Sequence, residues 1–491
     1  MSTMAATFRD GVLERRFRFA EHGTTLARDT MAGVTTFIVM SYIIFLNPII
    51  LTSVKPKACA ALPFEGVVTA TCVVAAVMTI LMGLYTNKAY ALAPGLGINA
   101  IVAFQLVGQQ GLSFASAMGL IVCEGLVVTA LVLTGAREAI MRAIPLELKK
   151  AIAIGIGLFI AFIGLYNAGI VVSAQGEPVT LGRFTTWPIF VAFFGLIVTL
   201  MLRARGFKGD LLVGIIGTTV VATIINSATD HEAFGTTTAT WPGWGHIAGW
   251  GNWSIFGNFD FHAFSTLGVV SAIVWVFALF LSDFFDTMGT LVGVGKPAGY
   301  LNAKGEMPEI RKPLLVDSLA AIAGGASSTS SATTYIESGA GVASGGRTGW
   351  VAVTAGTLFL PFLFFAPLIG MVPAQATAAA LIIVGYLMIS QLTEGEEEAE
   401  IEEGIAPRSK AKIAGIDFHD LAIGLPAALV IMLMPFSFSI TNGIGFGFIA
   451  YTLIRAFQGK VKEIHPFMWI ISAAFVLYFL VPVLQDHVSW M

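Results

Sequence analysis

The chain has 491 residues, 56% of them hydrophobic and only 12% charged, with a formal net charge of −3. That mixture is far from an ordinary water-soluble domain and makes a lipid bilayer the expected solvent. The basic residues are scattered over short loops, which excludes a nucleic-acid surface; the three cysteines are isolated and the seven histidines lack metal spacing, which excludes a disulfide framework or a metal centre.

Residues 1–29 carry Arg9, Arg15, Arg16, Arg18 and Arg28 without the apolar stretch of a signal peptide, so a cytoplasmic amino-terminal arm is expected. Apolar segments then follow at 30–51, 66–85, 89–107, 115–133, 151–171, 188–202 and 211–225. Residues 226–264 are rich in Gly, Trp and Thr and contain no Lys or Arg, as an external loop should. A second series occupies 265–294, 314–326, 328–343, 351–369, 376–390, 421–434 and 440–454. The acidic run from Glu394 to Glu403 falls in a cytoplasmic loop, 391–418, and is expected to be a solvated linker. The carboxyl-terminal part, 457–491, holds one more apolar stretch at 467–484, which either crosses the bilayer or lies at its interface.

With the amino terminus in the cytoplasm, 24 of the 27 Lys and Arg residues fall on the cytoplasmic side, and dropping one span would scramble this bias. Seven spans per half is an odd number, so the halves 30–225 and 265–456 must lie upside down relative to each other. Their third segments correspond: 69 residues separate Thr30 from Asn99, and 72 separate Ser265 from Glu337. Both are irregular, one through Ala93-Pro94-Gly95-Leu96-Gly97-Ile98-Asn99 and the other through the Ser/Thr/Gly-rich stretch 327–346. The expected fold class is therefore an all-α polytopic membrane protein of two inverted seven-span repeats with broken third and tenth segments. Paired interruptions of this kind point to a transporter's binding site, because backbone freed at membrane depth needs partners.

Asp283 and Asp286 stand three apart on one face of the eighth segment, Glu337 lies at the break of the tenth, and Asn99 occupies the mirror position in the third. A charge at that depth costs on the order of 3 kcal/mol, so each acid must be paired, neutralised by a proton or turned towards water. The plainer alternatives are hydroxyl or backbone partners for the aspartates, a cap on its own half-helix for Glu337, and a polar interhelical contact for Asn99. Glu124 and Asp317 are further intramembrane acids that fit a structural role better than a substrate role. Gly95-Leu96-Gly97-Ile98-Asn99-Ala100 matches a dinucleotide fingerprint in letters only, since no alternating strands and helices surround it. The Gly-x-Gly-Asp motif of an intramembrane aspartyl protease is absent, so no enzyme is expected. A channel needs acids from several helices around a pore, and an anion site needs cations; here acids converge on two polar segments.

The strings from Leu281 to Thr290, from Ala93 to Ala100 and from Thr333 to Gly349, the last ending in Gly345-Gly346-Arg347-Thr348-Gly349, resemble those of the AzgA-like purine permeases of the nucleobase cation symporter class. The likeness runs from Arg16 to Trp490. It implies a core domain that holds the site and a gate domain against which it moves, often in a homodimer in the plasma membrane. It implies import of adenine, guanine or hypoxanthine by proton symport, with H⁺ as coupling ion and no other cofactor. Asn99, Asp283 and Glu337 would bind substrate, and Gly97, Thr334 and Ser338 are expected to bind it with them; Asp286 would support the site or share coupling with Glu337. A same-fold carrier of uracil, xanthine or an inorganic anion remains the alternative, with a channel behind it.

Overall fold

The computed structural model describes residues 11–54, 60–135, 144–174, 177–236, 238–302, 307–402, 412–413 and 416–487. A short helix, α1 (Val12–Phe17), leads into a first span made of α2 (Leu26–Met40) and α3 (Ile43–Thr52), which part at Ser41 and Tyr42. The side chain of Thr25 starts α2 by accepting the Arg28 N–H, one of the orphan donors at a helix entrance. The first half continues with α4 (Phe64–Thr86), β1 (Leu92–Pro94), α5 (Leu96–Ala100) prolonged by a π-helix over Ile101–Gln109, α6 (Phe114–Thr134), α7 (Leu146–Asn167), a hairpin of β2 (Val171–Ala174) and β3 (Glu177–Leu181), α8 (Trp187–Ala204) and α9 (Asp210–Ala228). After the loop and a single turn, α10 (Ala263–Thr266), come α11 (Val269–Gly295), α12 (Arg311–Ala326), β4 (Ala332–Thr334), α13 (Ser338–Ala343), α14 (Trp350–Phe359), α15 (Ala366–Ile369) and α16 (Ala374–Glu402). The pair β5 (Lys412–Ile413) and β6 (Ile416–Asp417) precedes α17 (Leu421–Phe436), α18 (Ile440–Phe457) and α19 (Pro466–His487).

Among the described residues, eight helices are long and apolar enough to cross a bilayer, α2 and α3 counting as one. The expected third and tenth segments depart from a simple span, each being a strand followed by a half-helix. The acidic run, expected as a linker, continues α16 in helical conformation to Glu402, as Ala and Glu favour once a span has nucleated the helix. Glu403, Lys55, Lys57, Cys59 and the first ten residues of the arm lie outside the described residues.

Packing sorts the helices into two groups. The first contains the divided span α2–α3, α4, α6, α12, α14 and both broken segments; the second contains α7, α8, α9, α16, α17 and α18, with α19 against α18. Helix α11 packs on α6 and β4 in the first group and also touches α7 and α18 of the second. Lipid offers no hydrophobic drive for helices to associate, so small residues that admit close approach build these contacts. In the second group, a Cβ on Gly157 would stand 2.7 Å from the Gly385 carbonyl oxygen, and one on Gly385 would stand 2.3 Å from that of Gly157. Across the seam between the groups, Phe438 at φ +51° wedges its ring against Phe104 at 5.0 Å and Phe159 at 5.3 Å.

The string Gly345 to Gly349 acquires a structural account. The buried carboxylate of Asp29 accepts the N–H groups of Arg347 at 3.2 Å and Thr348 at 3.0 Å, together with the hydroxyls of Thr24 at 2.6 Å and Thr348 at 2.5 Å. Arg347 in turn donates to the Val342 and Gly346 carbonyls at 2.7 Å, tying off the end of α13. These contacts fix the far end of the second broken segment against the start of the first span.

Candidate functional site

The two broken segments cross in the middle of the first group. β1 and β4 pair antiparallel, with Leu92 opposite Thr334, Ala93 opposite Thr333 and Pro94 opposite Ala332. The ladder is lengthened by the Tyr335 N–H donating to the Ala91 carbonyl and the Gly95 N–H donating to the Ser331 carbonyl, both at 2.9 Å. Non-helical backbone at this depth is tolerated because its groups are met by protein. The Thr79 hydroxyl donates to the Leu92 carbonyl at 2.9 Å and accepts the Leu92 N–H at 2.8 Å, so α4 holds β1. Asp317 of α12 holds β4: its Oδ1 accepts the N–H and hydroxyl of Thr334, each at 2.9 Å. Its Oδ2 accepts the Thr287 hydroxyl at 2.7 Å, and that hydroxyl lies 2.8 Å from the one on Thr333. Asp317 is thus a clasp, in keeping with the structural role expected for it.

The clasp also locates the aspartates of α11. Asp283 is one helical turn from Thr287 on the same face, and Thr287 is docked on β4, so fully buried Asp283 sits beside the crossing. Asp286 is half-buried and within electrostatic reach of Glu337 and Asp317. Glu337 occupies the cap position of α13 without capping it; instead its Oε1 accepts the phenol of Tyr42 from the break in the first span. Asn99, in the first turn of α5, is fully buried, and neither its amide nitrogen nor its amide oxygen has a hydrogen-bond partner among the described residues. Gly97 faces the seam: a Cβ there would lie 3.2 Å from Ile440 and 3.7 Å from Ile156 of the second group, and 3.9 Å from the Ser282 hydroxyl.

Gly97, Asn99, Asp283, Asp286 and Glu337 therefore gather around the crossing. The hydroxyls of Thr334 and Ser338 are engaged within the protein. Thr334 serves the Asp317 clasp, while Ser338 donates to the Tyr335 carbonyl at 2.6 Å and accepts the Ala91 N–H at 2.9 Å, stitching the two segments together. Sequence reasoning missed Tyr42, Thr79, Thr287 and Tyr335, whose phenol donates to the Pro94 carbonyl at 2.5 Å. Thr287 had a legible signal, lying at i+4 from Asp283; Tyr42 had none, being an aromatic in an apolar span. Chemically, the site is rich in carboxylate acceptors, with one amide able to donate and accept.

Two helix groups meeting at a seam, with two interrupted segments crossing antiparallel beside it, define a multi-pass membrane transporter of the inverted-repeat fold. The same fold appears in the transmembrane domain of the cyanobacterial bicarbonate transporter BicA, with a TM-score of 0.57 at 15% identity, covering 86% of this chain and 96% of that one. It appears also in the murine anion transporter Slc26a9 in its inward-facing state, with a TM-score of 0.57 at 11% identity, covering 88% of this chain and 68% of that one. Residues 28–398 match the Permease family, and the chain belongs to it. Its relatives include the adenine permease AdeP of Escherichia coli (strain K12), 36% identical over 95% of this chain and 96% of that protein. The guanine/hypoxanthine permease PbuG of Bacillus subtilis (strain 168) is 37% identical over 94% of this chain and 98% of its own length.

Proposed function

We propose that this protein imports a purine nucleobase, namely adenine, guanine or hypoxanthine, by proton symport with alternating access of the site between the two helix groups. The observation that carries the reading is the set of buried polar side chains beside the crossing: Glu337, Asp283 and the amide of Asn99, which has no partner among the described residues. A neutral, planar base bearing several N–H donors and ring-nitrogen acceptors matches such a set, and relatives of this length and similarity are named as purine permeases. An inorganic anion, by contrast, would meet carboxylates at Asp283, Asp286 and Glu337. In this reading Asn99, Asp283 and Glu337 contact the base, Gly97 lets it approach the backbone, and Thr334 and Ser338 keep the crossing in shape. Asp286 and Glu337 carry the proton, the protein works in the plasma membrane with its amino terminus in the cytoplasm, and two copies associate as a homodimer.

The deciding experiment offers labelled adenine, guanine, hypoxanthine, xanthine, uracil and sulfate to cells expressing the chain. Uptake of one or more of the first three, competed by the others, is the expected result. Saturable uptake of uracil, xanthine or sulfate with none of those three would overturn the purine reading.

A further inference from the structure

The first span breaks at Ser41 and Tyr42, and the break places a phenol in the middle of the protein. Tyr42 is 1% exposed and donates its hydroxyl hydrogen to Oε1 of Glu337, a residue 295 positions away. Glu337 stands where a cap residue would, yet its side chain makes no cap on α13. Its orientation is thus governed by a different span. The two elements are also packed without slack: a Cβ on Gly341 of α13 would lie 2.1 Å from the Thr36 hydroxyl oxygen and 2.8 Å from the Ala32 carbonyl oxygen of α2. Span and half-helix are therefore in direct contact on the side of α13 that carries Gly341, one turn from Glu337.

We infer that Tyr42 is a positioning residue for substrate recognition: it acts through Glu337, holding one carboxylate oxygen so that the other is presented to an N–H of the ligand. The inference rests on the proposal that Glu337 binds the base. A carboxylate has two oxygens and about four lone-pair sites, and a fixed donor on one of them removes the freedom of the group to rotate. Away from water the bond is stronger than at a surface, and the ordering it provides is in place before the ligand arrives.

The test is a double-mutant cycle on purified, full-length protein, with purine affinity measured calorimetrically and folding followed by thermal unfolding. Glu337→Gln alone tests the parent reading, and purine binding as tight as the parent's would remove it whatever Tyr42 does. Given weakened binding in Glu337→Gln, Tyr42→Phe is expected to bind purine about tenfold more weakly than the parent, the scale of one hydrogen bond to a charged group. It should add nothing further in the Glu337→Gln background, because the phenol then has no carboxylate to orient. A merely structural tyrosine would weaken binding equally in both backgrounds, and that outcome, or parent-like affinity in Tyr42→Phe, overturns the inference. If Tyr42→Phe folds poorly, Glu337→Asp draws the carboxylate back from the phenol by one methylene while keeping its charge. A loss there of at least tenfold supports the inference; parent-like affinity overturns it.

Discussion

At the residue scale, the buried polar groups differ in what surrounds them, and that difference yields separate expectations. Glu337→Gln and Asp283→Asn keep side-chain shape but exchange an acceptor for a donor. Loss of one charge-assisted hydrogen bond, about 1.5 to 3 kcal/mol, corresponds to purine binding weakened roughly tenfold to more than a hundredfold, read by calorimetry on protein that still reaches the membrane. Asp286→Asn should depress transport more than equilibrium binding, since Asp286 lies within electrostatic reach of Glu337 and Asp317 and in the proposed reading carries the proton instead of contacting the base; a counterflow assay set beside a binding isotherm separates the two. Asn99 makes the sharper case. A buried amide with no partner costs roughly 1 to 3 kcal/mol, which a purely structural position would not retain. Asn99→Leu is accordingly expected to hold or raise thermal stability while weakening purine binding at least tenfold. A variant both less stable and fully active would show that the amide serves the fold.

At the element scale, the crossing depends on two short strands that no bilayer could accept on their own. Asp317 gathers the Thr334 N–H and the hydroxyls of Thr334 and Thr287, so one carboxylate ties α11 and α12 to β4. Asp317→Ala strands these donors and should lower stability by about 3 kcal/mol, seen as a fall in melting temperature in detergent, with purine affinity lost through disorder of the site. Melting indistinguishable from the parent would mean that β1 and β4 are held by other contacts. The break itself was legible from Pro94, Gly95 and the Ser/Thr/Gly run, which oppose continuous helix. That the freed backbones pair with each other was not legible, because Leu92 and Thr334 lie 242 positions apart and pairing leaves no local trace.

At the scale of the whole molecule, the proposed proton coupling predicts that purine uptake rises as the external medium is acidified, since the proton enters with the base. It also predicts collapse of uptake when a protonophore removes the gradient; uptake that continues unchanged would reject symport. Orientation has its own test: cysteines introduced at Arg15 and near Glu398 should resist an impermeant thiol reagent applied to intact cells and react once the membrane is opened. Fast labelling from outside at either place would reverse the assigned topology. The seam at Phe438 is lined by aromatic rings from both helix groups, and beside it the Ser439 hydroxyl donates to the side-chain oxygen of Gln105 at 3.1 Å.

The sequence by itself determined the solvent, the approximate spans, the two interruptions and the acids Asp283, Asp286 and Glu337, because each is written in a short window. Hydropathy over about twenty residues, a proline or a run of glycines, and a carboxylate within an apolar stretch all declare themselves locally. It also marked Asn99, by its position opposite Glu337 across the two halves. Only the tertiary structure decided which polar groups are spent on the protein and which are left over. Thr334 and Ser338 are committed to the crossing, Asp317 is a clasp, Tyr42 reaches Glu337 from another span, and the amide of Asn99 has no partner among the described residues. Satisfaction of a buried polar group is a property of its neighbours in space, and in this chain those neighbours come from both halves of the sequence.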